Sequence, residues 1–190
     1  MSRVGNLNEW FQKGLTKDEY FESMQVNKEE LLAIYNSFTL SDEDRDFYQQ
    51  FPLLELKAAV LTADWCGDAL LCVPIIQRIA EYAGIELRFL VRDENLELMD
   101  QYLTNGTARA IPKFIFIDQE GNEKAVWGPR SPEVQTLIMS ERSTLPAKED
   151  PSFDEKQKEM YKNFKARMTT DQALWESVNK SVKEELKNLL

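Results

Sequence analysis

Leu56–Ala63 is a run of strand length with almost no polar interruption, and a segment of helical periodicity begins three residues after it. A short apolar run of this kind reads as a buried strand. Residues 67–83 then place Cys72, Ile76, Ile79 and Ala83 at offsets of four, three and four on one helical face, with Gly84 as a stop. So direct a passage from strand to helix constrains the rest, because the alternation continues. Ile85–Val91 reads as a strand, Asn95–Leu103 as a short helix and Lys113–Ile117, just after Pro112, as a third strand. Asp118–Asn122 turns the chain into a fourth strand, Glu123–Trp127, and Ser131 caps a helix towards Arg142. The order predicts an α/β domain over residues 53–145.

The flanks have a different texture. Residues 1–52 predict short helices. Thr16-Lys17-Asp18-Glu19 and Asn27-Lys28-Glu29-Glu30 each place a capping residue three before a glutamate, and Ser41-Asp42-Glu43-Asp44 opens a further helix that Pro52 ends. Leu31, Leu32, Ile34, Tyr35 and Phe38 give the second of these an apolar face. Pro146–Pro151, with alternating charge, reads as a linker into a C-terminal helical extension, residues 146–190. Its last helix carries Leu174, Val178, Val182 and Leu186 at four-residue steps. Both extensions are expected to be packing elements.

Composition narrows the function classes. At 190 residues and 43% hydrophobic, the chain can bury one substantial core. A net charge of -10 with no basic run gives a nucleic-acid role no support. No stretch approaches the roughly 18 apolar residues of a spanning helix, and Met1–Asn6 contains no apolar leader core. With two cysteines, the expectation is a reducing cytoplasm without a disulfide framework. The absence of histidine removes His-based triads, ligands and general bases, and two cysteines are too few for a structural zinc site. No glycine-rich phosphate loop is present, so no metal, nucleotide or flavin cofactor is expected.

The chemistry rests on Cys66-Gly67-Asp68-Ala69-Leu70-Leu71-Cys72. Cys66 falls at a helix N-terminus, where free N–H groups and the positive dipole end favour an anion, and a thiolate is the reactive form of cysteine. Asp68, in the first turn, favours the helix but opposes a thiolate beside it. Six helical residues rise about 9 Å, whereas bridgeable cysteines need Cα atoms within about 7 Å. Cys72 also shares the inward face with Ile76 and Ile79 and reads as a small buried hydrophobe.

Ala63-Asp64-Trp65-Cys66-Gly67-Asp68, with Pro74 eight residues after Cys66, resembles the active-site segment of the thioredoxin superfamily, Trp-Cys-Gly-Pro-Cys with a helix-kinking proline. Arg109-Ala110-Ile111-Pro112 before an apolar strand resembles the segment with the family's cis-proline, and Gly128 matches its groove glycine. The resemblance spans roughly residues 56–143 and implies a thioredoxin-like fold, a central mixed sheet flanked by helices, here with extra helices at both ends. It implies that Ile111 and Pro112 present backbone to a substrate, and that Arg109 and Arg130 come near the groove. Departures are equally clear. Ala69 stands at the second family cysteine, Asp68 at the intervening proline and Val60 at a buried acid, and no segment before Leu56 reads as the family's N-terminal strand.

The leading expectation is a thiol–disulfide oxidoreductase acting through Cys66 alone, with a disulfide-bearing protein or a low-molecular-weight thiol as partner and Trp65 and Trp127 as apolar walls. A redox-inactive binding or regulatory module on the same groove is the alternative. A dithiol enzyme in which Cys72 resolves Cys66 is the third.

Overall fold

β1 (Lys57–Thr62) is buried from Ala58 onwards on both faces, which explains why it reads as a continuous apolar run rather than an alternation. The computed structural model describes residues 5–190; Met1–Val4, part of the opening segment read for a leader, lie outside the described residues. β2 (Glu86–Val91) pairs with β1 in parallel, β3 (Lys113–Ile117) pairs with β1 antiparallel, and β4 (Glu123–Trp127) pairs antiparallel with β3. The sheet order is β2-β1-β3-β4. No named strand precedes β1 among the described residues; the outer edge of β2 carries a single antiparallel bridge, Leu15 to Phe89. Gly14 permits that approach, since a Cβ there would lie 2.7 Å from the Arg88 Cβ.

Side-chain alternation sends the two strand faces into separate apolar clusters. Ala59, Leu61, Ile115 and Ile117 join Leu7 and Phe11 of α1 (Leu7–Lys13) and Leu98 and Met99 of α6 (Leu96–Met99). Ala58, Val60, Phe114 and Phe116 join α5 (Gly67–Ala83) in the larger cluster. That cluster also takes Tyr20 and Phe21 of α2 (Lys17–Ser23), Leu31 and Ile34 of α3 (Lys28–Ser37), and Tyr48 of α4 (Asp42–Tyr48). From the C-terminal side it takes Ile138 of α7 (Pro132–Ser143), Phe164 of α8 (Phe153–Thr170), and Leu174, Val178, Val182 and Leu186 of α9 (Gln172–Leu186). The helices of both extensions therefore share the core of the sheet. Because α3 and α9 cover the side of α5 turned from the sheet, α5 is buried around most of its girth instead of on one stripe.

Most helix ends follow the sequence signals. Thr16 and Glu19 form a reciprocal capping box, Ser41 and Ser131 accept from backbone N–H groups of the first turn, and Gly84 ends α5 in the left-handed region. Two do not. Asn27 precedes α3 but makes no side-chain cap; its φ is 60° and its amide donates to the Asp64 carbonyl at 3.0 Å. The helix expected over Asn95–Leu103 is one turn long, because Gln101 and Tyr102 donate to carbonyls three residues back and the chain leaves the α-helical path.

A buried polar clasp joins α4 to α9. The Tyr48 hydroxyl donates to Asn179 Oδ1 at 2.9 Å, Asn179 Nδ2 donates to Asp44 at 2.9 Å, and Lys183 Nζ donates to the other Asp44 oxygen at 2.9 Å. Burial opposes the Asp44 charge, but the hydrogen bonds from Lys183, Ser41 and Asn179 hold its carboxyl below the usual range. If α9 belongs to the core, Leu186→Ala leaves a cavity and lowers unfolding stability by about 2–5 kcal/mol in chemical denaturation. A loss well under about 1 kcal/mol would show instead that the site can collapse and that α9 is peripheral.

Candidate active site

Cys66 is the N-cap of α5, presented where β1 ends and the chain turns through Ala63, Asp64 and Trp65. Asp64 fastens that turn: its carboxylate accepts from the backbone N–H groups of Gln25 at 2.8 Å and Val26 at 3.2 Å. With the Asn27 bond to the Asp64 carbonyl, the loop before α3 is held against the cysteine turn by three hydrogen bonds.

The Cys66 thiol is partly buried and donates to the Ile111 carbonyl at 3.4 Å. The Ile111–Pro112 and Gly128–Pro129 peptide bonds are both cis. Gly128 sits against this segment with a φ of 131°, and a Cβ on it would fall 2.1 Å from the Pro112 oxygen, so only glycine fits. The Lys113 ammonium donates to the Gly128 carbonyl at 3.3 Å, and its burial lowers its pKa.

Position at a helix N-terminus led to the expectation of a depressed thiol pKa. The direction is the opposite. Burial pushes the Cys66 thiol up, and the Asp68 charge adds to it; the backbone N–H groups of Ala69 and Asp68 and the Arg130 guanidinium pull down without prevailing. Asp68 is itself raised by burial, despite an ion pair with Arg130 at 2.8 Å, and Arg130 also donates to Gln135 at 2.7 Å. Cys72 is fully buried, its thiol 3.7 Å from the Pro129 carbonyl and its pKa raised well above the ordinary value by burial. Both cysteines are free.

The other candidates divide. Trp65 is exposed at the site, its ring under the Arg92 guanidinium at 4.7 Å. Trp127 is in the core, edge-on to Phe114, and its indole N–H donates to Ser181 at 2.9 Å, so it forms no wall. Arg130 reaches the site through Asp68; Arg109 instead makes a two-pronged pair with Asp100 at 2.7 and 2.9 Å.

A cavity of about 530 Å³ opens beside Cys66, Gly67 and Asp68, and its lining includes neither Ile111 nor Pro112. Trp65 and Arg130, both expected at the site, line it, but much of its wall comes from residues with no site signal in the sequence: Ile138 and Arg142 of α7, and Tyr161, Phe164, Lys165 and Met168 of α8. Their offsets along α8 mark a single face, but nothing in the spacing says that the face turns towards a cysteine a hundred residues away. No group of three His, Cys, Asp or Glu side chains suited to a metal ion occurs among the described residues, and none of their helices is long and apolar enough to cross a membrane.

The family model described as thioredoxin matches residues 14–144. The chain belongs to the thioredoxin family. Its fold is the α/β arrangement of that family, with additional helices at both ends. A protein of unknown function from Pseudomonas aeruginosa, 14% identical, superposes with a TM-score of 0.65 over 95% of this chain and 99% of its own, so the likeness in fold extends over the helical ends. An HIV epitope-scaffold, 13% identical, gives 0.62 over 95% and 99%. Thioredoxin from Fasciola hepatica is 24% identical over 46% of this chain and 81% of its own, with a TM-score of 0.34. No curated protein matches the sequence.

The electrostatics of this thioredoxin-family site fix a pH dependence. A raised thiol pKa means that the thiolate fraction, and with it alkylation of Cys66, still climbs as pH passes the ordinary cysteine value of 9.0. Asp68→Asn removes a neighbouring negative charge and is expected to move the alkylation profile to lower pH; Arg130→Met removes a positive one and moves it to higher pH. Stopped-flow alkylation across pH measures both shifts, and a wild-type plateau at neutral pH contradicts the assignment. Arg109→Ala is expected to leave the profile unmoved.

Proposed function

We propose that the protein is a thiol–disulfide oxidoreductase that works through Cys66 alone. The observation that carries this reading is the unequal placement of the two thiols: Cys66 borders a cavity at the start of α5, whereas Cys72 is sealed in the core beside the Pro129 carbonyl. In the reaction, the Cys66 thiolate attacks one sulfur of a disulfide, a bond forms between them, the disulfide bond breaks, and the departing thiolate takes up the proton that Cys66 lost. A second thiol then attacks the mixed disulfide and restores Cys66.

The raised thiol pKa sets the pace of this chemistry without forbidding it. Few molecules carry the thiolate at neutral pH, but a more basic thiolate is the stronger nucleophile, so the two effects partly offset. A reducing compartment such as the cytoplasm supplies thiols for the second step.

With a small disulfide as oxidant, intact mass is expected to show one adduct on the wild type, the same on Cys72→Ala and none on Cys66→Ser. Mild oxidation without added thiol is expected to leave the mass unchanged. A loss of two hydrogens without dimerisation would establish the dithiol reaction between Cys66 and Cys72 instead.

One observation favours a second reading, a binding module without redox chemistry: burial and Asp68 both disfavour the thiolate. Under that reading Cys66→Ser retains the cellular function, whereas the oxidoreductase loses it.

A further inference from the structure

The charge around the cavity runs against the charge of the chain. The protein carries a net -10, yet Arg130, Arg142 and Lys165 line the cavity with Asp68 as the sole carboxylate among the lining residues. Two of the three cations are engaged, Arg130 with Asp68 at 2.8 Å and Lys165 with Glu30 at 2.6 Å. Arg142 has no carboxylate at salt-bridge distance among the described residues; its one side-chain partner is the Tyr161 hydroxyl, at 3.5 Å. A guanidinium facing a concave, partly apolar space offers a fork for a carboxylate.

The shape restricts what can arrive. α8 stands over the start of α5, with the Met168 methyl 3.5 Å from the point a Cβ on Gly67 would occupy. The cavity is walled by α7 and α8 and is not lined by Ile111 or Pro112, so a disulfide bound in it sits against these helices and not along the Ile111–Pro112 backbone. About 530 Å³ lies within the range of small-molecule sites.

We infer that the cavity receives a low-molecular-weight disulfide bearing a carboxylate, which Arg142 binds while Cys66 attacks the sulfur. The inference rests on the single-cysteine reading above and names its substrate class. Attack forms a bond from Cys66 Sγ to the near sulfur and breaks the ligand's disulfide; the released small thiolate is protonated, and no further oxidant takes part.

Three symmetric disulfides of similar size separate the possibilities: 3,3′-dithiodipropionate, bis(2-hydroxyethyl) disulfide and cystamine, which are dianionic, neutral and dicationic. Rates of adduct formation on the full-length protein are followed by intact mass at one pH and ionic strength, for the wild type and for Arg142→Gln, and each is divided by the rate of the same disulfide with a small neutral thiol, which removes the differing leaving-group reactivities. The wild type is expected to react fastest with the dianion despite the protein's own negative charge. Arg142→Gln is expected to slow that reaction roughly tenfold while leaving the neutral disulfide unaffected. Equal rates for the three disulfides, a cystamine preference, or a uniform slowing of all three by Arg142→Gln overturns the inference and leaves the single-cysteine reading standing. No adduct from any of them overturns both.

Discussion

Both faces of β1 are dry, and the rest of the molecule follows from keeping them so. A four-stranded sheet with Ala59 and Leu61 on one side and Ala58 and Val60 on the other needs helices in two layers. The segment from β1 to α7 supplies α5 and α7 to one side and a single turn, α6, to the other. The missing cover comes from the flanks: α1 closes the α6 side, while α3 and α9 press on the outer side of α5. Asp171 alone separates α8 from α9, and with α9 docked there the C-terminal end of α8 lies against the start of α5, Met168 beside Gly67. The roof over Cys66 is thus a by-product of burying the central strand.

That roof changes the electrostatics beneath it. The helix N-terminus offers Cys66 the same partial positive charge at any depth, but the penalty for a charged sulfur grows as water is removed. At Cys66 the second effect wins, with Asp68 on its side, and Arg130 is largely spent on Asp68. Val60, fully buried, and Ala69 bring neither an acid nor a thiol at their own positions, so the downward pull on Cys66 comes from the first-turn N–H groups and Arg130, which do not prevail.

Much of this was legible in the residues. The strands and the long helices follow from apolar runs and periodicity, the Thr16 capping box from a four-residue pattern, and the active-site segment from Trp65, Cys66, Pro74, Pro112 and Gly128 together. What escaped depends on contacts between distant residues. Asn27 carries the same local signature as Thr16 but is claimed by the Asp64 carbonyl, 37 residues away. Arg109 and Arg130 look equivalent in sequence, and the structure pairs one with Asp100 and the other with Asp68, two residues from Cys66. Trp127 is apolar enough for a groove wall, yet it packs edge-on to Phe114 in the core with its indole N–H on Ser181, 54 residues away. Periodicity identifies a face on α8 without naming what it meets.

The clasp of Tyr48, Asn179, Asp44 and Lys183 spans residues 131 to 139 apart in the chain. The exposed stretch from Ala147 to Pro151 is the covalent tether on which α8 and α9 depend, but it is not what holds them. A protease that cuts there severs one chain into two and removes no buried contact. The C-terminal fragment then becomes a subunit, kept in place by the buried apolar side chains of α9, by Phe164 and Met168 of α8, and by the clasp. The roof over Cys66 survives the cut, but its attachment turns from intramolecular to bimolecular, and dilution alone becomes able to lift it.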